Sequence, residues 1–293
     1  MPAAALSPQL LSRASEPPNG GSWIHVIKYD GFRMLASREG GRAALTSRPG
    51  ADWTSRLPAI AKAIESLGVG GVRLDGELVY LTDDGFPDFE RLRSAAQSKD
   101  GSRLYYQVFD LLSIGRTDLT SRPLLERKQR LVELLCHEDH TRLRYVAHVE
   151  GSGADFFRAV DQLGLEGIVC KRARSLYRAG VRSADWVKVK CFRTQTFAIV
   201  GYTLADGVLE SLALAGRDGA QLVYAGRVEF GVPRRDRTLL HLLQSLGEPT
   251  MEIGSASKSR GITWVESRLN AEVRALAWAP GRALRHAVLR TVQ

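Results

Sequence analysis

Apolar and polar residues roughly alternate through "WIHVIKYD", Trp23 to Asp30, the period of a strand with one buried face. The runs "VRLDGELVYL", "RLYYQVFDLL", "RLRYVAHV", "EGIVCKR" and "DWVKVKCF" read the same way. Between them the apolar spacing changes to about 3.6 residues, the period of a helix. "RLPAIAKAIESL" carries one apolar stripe. "PLLERKQRLVELL" opens on Pro123, whose missing N–H costs little in a first helical turn. "GADFFRAVDQLG" closes on Gly164, a suitable C-cap. Strands interleaved with helices through Arg193 predict an α+β fold with mainly antiparallel sheets flanked by helices. Asp30-Gly31 lies between two strand-like runs and predicts a hairpin there. Asp75-Gly76 and Asp84-Gly85 repeat the dipeptide.

After "CFRTQ" the character changes. "TFAIVGYTL", "LESLALAG", "QLVYAGRVEF" and "WVESRLNAEVRALAW" are short strands separated by Gly- and Asp-containing turns, and one helix, "RRDRTLLHLLQSL", interrupts them. Several strands and one helix in about 100 residues predict a small Greek-key barrel of the OB type. The boundary is placed after Arg193, giving domains 1–193 and 194–293. The Pro and Gly of "MPAAALSPQLLSRASEPPNGG" predict an extended arm leading into the first strand. That segment lacks the basic and apolar regions of a signal peptide.

Composition narrows the classes. The chain has 41 Lys+Arg against 32 Asp+Glu, a net charge of +9, which suggests a polyanionic partner, nucleic acid first. Charge alone is equally compatible with a mildly basic enzyme. Cys136, Cys170 and Cys191 are too few and too scattered for a disulfide framework or a zinc site. No run is apolar enough over sufficient length to span a membrane. A cytoplasmic protein with reduced thiols is expected.

The candidate chemistry lies in five segments. Lys28 stands in "KYDGFR". In "LDGELVY", Asp75 and Glu77 are two apart on one strand face, where they need a cation or donor between them. In "EGIVCKR", Glu166 precedes an apolar pair and then Lys171 and Arg172. "DWVKVKCF" puts Trp186, Lys188 and Lys190 on one face and Val187 and Val189 on the other. Phe109 sits in the apolar run "YYQVFDLL". Each segment alone fits ordinary packing better than chemistry. Together they supply an amine nucleophile, paired lysines for phosphates, carboxylates for a divalent cation and an aromatic ring for a base. Those are the needs of nucleotidyl transfer, which is governed by positioning and charge neutralisation. An amine attacks only when neutral, and clustered cations favour that form.

The ordered series KYDGFR, SRPG, LDGELV, FDLL, EGIVCKR, WVKVK resembles the motif series of ATP-dependent DNA ligases. It is most similar to the ligase module of bacterial end-joining enzymes. "SRPGADWTSRLP", "YAGRVEFG" and "WVESRLNAEVRALAW" extend the resemblance over nearly the whole chain. The resemblance implies a nucleotidyltransferase domain followed by an OB-fold domain, with ATP and Mg²⁺ or Mn²⁺ as cofactors. It implies that Lys28 becomes Lys-AMP, within a nucleotide site completed by Ile27, Arg33, Glu77, Phe109, Lys188 and Lys190. Phe109 would stack on adenine, and the two lysines would hold phosphates. Arg33, Ser47 and Arg48 would face DNA, and Glu166 and Glu77 would bind the metal. The implied partners are nicked or broken double-stranded DNA and a Ku-type end-binding protein, for a monomer acting in DNA repair.

Two departures stand out. Val26 occupies a position where relatives often carry Glu, and the closing "LRHAVLRTVQ" offers Arg285 and Arg290 without the Asp-Lys pair of an R-x-D-K-like element. With Lys28 so near the start, no upstream helical DNA-binding domain is expected, nor a polymerase or nuclease module. An RNA ligase or capping-type guanylyltransferase on the same core remains an alternative. A non-catalytic nucleic-acid-binding relative is a further one, against which the intact Lys28, Glu77, Glu166, Lys188 and Lys190 set argues.

Overall fold

Strand β1 (Leu10–Arg13) is half-exposed, whereas β2 (Trp23–Ile27) is buried along nearly its whole length. That difference places one at the edge of a sheet and the other inside it. The computed structural model describes residues 7–98, 101–136, 142–249, 253–254, 261–276, 278, 280 and 283–293. The chain forms two units, Met1–Lys190 and Cys191–Gln293.

The first unit continues with β3 (Phe32–Glu39), β4 (Arg42–Ser47), β5 (Val72–Tyr80), β6 (Leu104–Ile114), β7 (Thr117–Asp118), β8 (Leu143–Tyr145), β9 (Val149–Glu150), β10 (Gly167–Arg172) and β11 (Arg182–Lys190). Its helices are α1 (Pro58–Glu65), α2 (Phe89–Ser98), α3 (Leu124–Leu135) and α4 (Gly153–Gln162). Among the described residues one sheet runs β1-β11-β10-β2-β9 and the other β4-β3-β5-β6-β7, with β8 beside β6. Ile24, Val26, Phe109, Leu112, Val169 and Trp186 form a core drawn from both sheets. Met34, Leu45, Ile60, Ile64 and Leu74 form another, between the second sheet and α1.

Local signals account for most boundaries. Ser152 caps α4 by accepting from Asp155 N–H, and Gly164 follows the helix at φ +67°. Helix α2 was not expected; of its side chains only Leu92 and Ala95 are fully buried among the described residues, too short a stripe to read in sequence. Part of the expected extended arm, Leu10–Arg13, pairs parallel with β11, and residues 1–6 lie outside the described residues.

The hairpin expected at Asp30-Gly31 does not form. Strand β2 pairs with β10 and β9, whereas β3 pairs with β4 and β5. The glycine serves the crossing between sheets: a Cβ on Gly31 would lie 2.1 Å from the Leu78 carbonyl oxygen. Gly76, inside β5, lies under Tyr106, where a Cβ would come within 2.6 Å of the ring. Of the three Asp-Gly pairs named above, Asp84-Gly85 makes the turn, with Gly85 at φ +79° between the bridge partners Leu81 and Pro87.

The second unit comprises β12 (Phe192–Ala205), β13 (Val208–Asp218), β14 (Gln221–Val228), β15 (Ile253–Gly254), β16 (Thr263–Leu276), β17 (Val288–Val292) and α5 (Arg237–Ser245). The order is β15-β14-β13-β12-β16-β17. Register shifts interrupt four of its pairings, and such bulges bend strands. Phe197, Ile199, Leu212, Leu214 and Val273 fill the core. Asp236 caps α5 by accepting from Leu239 N–H. This is the expected OB-type architecture.

Gly31→Ala is expected to cost more than about 3 kcal/mol, because backbone must move. Gly85→Ala, in open space, should cost about 1–2 kcal/mol for its left-handed backbone. Urea unfolding of the two variants makes the comparison. Equal costs would show that Gly31 is merely a turn residue.

Candidate active site

Residues opposite one another across a sheet share a face. One row of the first sheet runs Arg13 on β1, Lys188 on β11, Val169 on β10 and Val26 on β2. The row on one side holds Lys190 and Gly167, and Lys28 joins it by donating its N–H to the Gly167 carbonyl at 2.9 Å. The row on the other side holds Trp186, Lys171 and Ile24. Val26 and Val169 therefore make an apolar floor, with lysines gathered at one end.

The second sheet supplies the opposite wall, and a cavity between them is lined by Val26, Lys28, Glu77, Phe109, Val169 and Lys171, among others. Arg33 lies opposite Glu77 in the pairing of β3 with β5. Its guanidinium grips Asp75 with two bonds of 2.5 and 2.6 Å and lies 4.5 Å from the Phe109 ring centre. Tyr177 donates to the same carboxylate at 2.6 Å. Arg33 is thus the cation that the Asp75–Glu77 face requires, and Nε and Nη2 are committed inward.

The charged end is tightly coupled. Lys28 Nζ lies 2.5 Å from one Glu166 oxygen, and Lys190 Nζ lies 2.8 Å from the other. Burial pushes the Glu166 carboxyl up, but the two lysines outweigh it and hold it below its usual range. Burial, then Lys28, Arg13 and Lys190, bring the Lys188 amine down to about 8. Burial also lowers Lys190, against the pull of Glu166. Burial lifts Glu77 to about 7; Glu166 and Asp75 add to the rise, and Arg33 and Lys28 oppose it.

Lys28, Arg33, Glu77, Phe109, Glu166, Lys188 and Lys190 are therefore brought together. Ile27 borders the cavity, but its pairing with Ile168 puts its side chain on the other face, so it offers backbone. Ser47 and Arg48 stand apart, on a turn where Gly50 N–H donates to the Ser47 carbonyl. The exposed Arg48 touches the site's framework through its own N–H, bonded to the Arg33 carbonyl at 3.1 Å.

Sequence reasoning assigned no role to Lys171. It is 2% exposed, and its Nζ lies 4.2 Å from the Phe109 centroid and 3.7 Å from that of Trp186. Its Nζ has no hydrogen-bond partner among the described residues, and burial holds its pKa well below the usual value. The period of "EGIVCK" places it on the same face as Val169, and that was the available signal.

Glu77 and Glu166 are the acids suited to a divalent cation. Among the described residues no group of three potential metal-binding side chains occurs. A hard cation held by one or two carboxylates, with phosphate oxygens and water completing its shell, fits such a pair. The Glu77 pKa is raised chiefly by burial, and a cation at this carboxyl would oppose that rise as Arg33 and Lys28 do.

Comparisons with known proteins bear on the whole chain. A family model for the ATP dependent DNA ligase domain matches residues 8–190, and one for the ATP dependent DNA ligase C terminal region matches residues 205–293. Multifunctional non-homologous end joining protein LigD of Pseudomonas aeruginosa is 36% identical over 293 residues, covering 97% of this chain and 35% of that protein. The SPbeta prophage-derived DNA ligase-like protein LigB of Bacillus subtilis is 32% identical over 243 residues, covering 82% and 85%. Among solved structures, mycobacterial DNA ligase D complexed with ATP and MES matches at 30% identity and a TM-score of 0.59, covering 98% of this chain and 95% of that one. The chain spans 35% of the length of the LigD relatives from P. aeruginosa and Mycobacterium tuberculosis.

Glu77 also makes stability depend on pH. The folded carboxyl keeps its proton up to about 7, whereas an ordinary one loses it near 4.5. Stability from this group is fully present below the lower value and is lost as pH rises through the upper one. Glu77→Gln is expected to raise the melting temperature relative to the parent near pH 8 and to lose that advantage near pH 4. A shift of the same size at both pH values would mean that another group titrates.

Proposed function

The chain belongs to the ATP-dependent DNA ligases, and from that premise we propose that it seals 5′-phosphate/3′-hydroxyl breaks in duplex DNA through an adenylated Lys28. The observation that carries this reading is the Lys28 amine held 2.5 Å from Glu166, between an apolar slot and a cluster of cations. The base enters between the Val26–Val169 floor and Phe109. Lys171 presents a donor there. The phosphates lie over Lys28, Lys190 and Lys188.

Glu166 aligns Lys28 and Lys190, and phosphate oxygens compete with it for both. Lys28 gives up a proton to the Glu166 carboxylate beside it, and its neutral nitrogen forms a bond to the α-phosphorus as the bond from that phosphorus to pyrophosphate breaks. The AMP then passes to a DNA 5′-phosphate, and the 3′-hydroxyl displaces it. Arg48 and Ser47 meet the DNA, Arg48 contacting the 5′-phosphate. Glu77 and Glu166 would hold Mg²⁺ or Mn²⁺, which would supply neutralisation of phosphate charge.

The names of the LigD relatives support double-strand end joining as the cellular task, with a Ku-type end-binding protein as partner. A cytoplasmic monomer suits this reading. No helix among the described residues is long and apolar enough to cross a membrane.

Incubation with α-phosphate-labelled ATP and Mg²⁺, followed by a nicked duplex, tests the proposal. Wild-type protein should take the label covalently and pass it to DNA, while Lys28→Ala takes none. Label retained by Lys28→Ala overturns the assignment, and labelling by GTP in preference to ATP hands the site to the capping-type alternative. Arg48→Ala should reduce sealing about tenfold or more, the scale of one charged hydrogen bond. It should weaken binding of a phosphorylated nick more than of one lacking the phosphate. Equal weakening on both would reduce Arg48 to a general positive charge.

A further inference from the structure

The cationic end of the pocket has a fourth member outside the motif series. Arg13 stands beside Lys188 in the parallel pairing of β1 with β11. The pairing is fixed by Ala14 N–H donating to the Lys188 carbonyl at 3.2 Å and by Ser12 Oγ donating to the Ser183 carbonyl at 2.9 Å. Its register is not continuous. Leu10 and Leu11 face Arg182 and Ser183, and then Ser12 and Arg13 face Val187 and Lys188. An unbroken register would have put Arg13 opposite Asp185, a ready counter-ion. The shift moves it past that carboxylate to a lysine. Arg13 is exposed, and no carboxylate among the described residues pairs with it.

From β2 outward the order is Lys28, then Gly167, then the β11 lysines, then Arg13. Gly167 leaves the middle of that line bare: a Cβ there would lie 2.1 Å from the Val189 carbonyl oxygen. Neighbouring strands are about 4.8 Å apart, so a triphosphate laid over Gly167 runs toward the β11–β1 edge. Attacking and leaving atoms in phosphoryl transfer are roughly in line. With Lys28 attacking from the β2 side, the leaving group departs toward Lys188 and Arg13.

We propose that Arg13 contacts the β- and γ-phosphates of ATP and the departing pyrophosphate. The proposal rests on the ligase reading above. It gives the first step a cation supplied by the N-terminal strand of the same unit, whereas the closing segment lacks the Asp-Lys pair expected there.

The test compares wild type, Arg13→Ala and Arg13→Lys in two reactions. In one, enzyme already carrying labelled AMP on Lys28 is titrated with pyrophosphate, which regenerates ATP. In the other, the enzyme seals a nick that is already adenylated, where no pyrophosphate takes part. Arg13→Ala should weaken the apparent affinity for pyrophosphate and raise KM for ATP, each about tenfold. Arg13→Lys should recover part of both, and sealing of the adenylated nick should stay within about twofold, too small for a lost charged contact. A loss confined to the sealing reaction would assign Arg13 to DNA instead, an equal loss in the two would make it a general support of the site, and no loss in either would leave it an edge-strand charge; each overturns the proposal. Thermal melts of both variants separate these outcomes from misfolding, since Arg13→Lys keeps the charge and the strand. A wild-type protein that takes no label from ATP removes the ligase reading, and this proposal with it.

Discussion

Two carboxylates without access to water, Asp75 and Asp110, hold the seam between the sheets of the first unit. Each is gripped by an arginine in a two-bond pair: Arg33 on Asp75, and Arg127 on Asp110 at 2.8 Å for both bonds. Arg127 also donates to the Ser175 carbonyl at 2.9 Å, Ser175 Oγ accepts from the Trp186 indole, and Tyr177 donates to Asp75. The loop between β10 and β11 is thereby tied to the second sheet and to α3. Buried pairs of this kind add little net stability against apolar replacements, although removing one partner alone costs about 3–5 kcal/mol. Their contribution here is position: they set how Phe109 and Trp186 meet, and so the width of the slot over Val169.

That fixed slot gives the charges their meaning. Lys28, Lys188, Lys190 and Arg13 crowd one end, and the acids nearest them are Glu166 and Glu77. Burial first, and then this crowding of cations, brings Lys188 down to about 8, whereas burial lifts Glu77 to about 7 against the pull of Arg33 and Lys28. Mutual repulsion among fixed cations costs stability, and a polyanion arriving at that end relieves it. Cations oriented beforehand need no reorganisation when phosphate charge shifts during reaction.

Much of this was legible in the sequence because the site lies on strands. Period two placed Lys188 with Lys190 and Asp75 with Glu77 before any fold was in view. The Asp-Gly pairs show where such reading stops. The dipeptide signals a hairpin through local conformation, yet Gly31 and Gly76 answer to distant atoms, the Leu78 carbonyl and the Tyr106 ring. A one-dimensional pattern cannot distinguish a glycine that must turn from one that must stay out of the way. Arg13 escaped for a related reason: its value depends on a register shift 170 residues along the chain, at Ser183 to Val187. Helix α2 escaped because two buried side chains make no recognisable stripe.

The placement of Glu166 follows from the glycine after it. Gly167 adopts φ +145°, and its flank is closed by the Val189 carbonyl. A side chain at this position would both strain the backbone and collide with the β11 backbone at Val189 and Lys190. The same residue lets β10 pass close against β11 directly after Glu166, whose carboxylate lies between the two amines. Its side chain is 3% exposed, so water screens these pairs far less than it screens surface pairs, which are worth about 0–1 kcal/mol. Lys28, the nucleophile in the proposed reaction, is consequently held before a nucleotide arrives, which would remove part of the entropic cost of bringing it to phosphorus. The carboxylate cannot keep both lysines once phosphate oxygens compete for them. In the proposed reaction, release of Lys28 from Glu166 would therefore be tied to the arrival of phosphate at the charged end of the cavity.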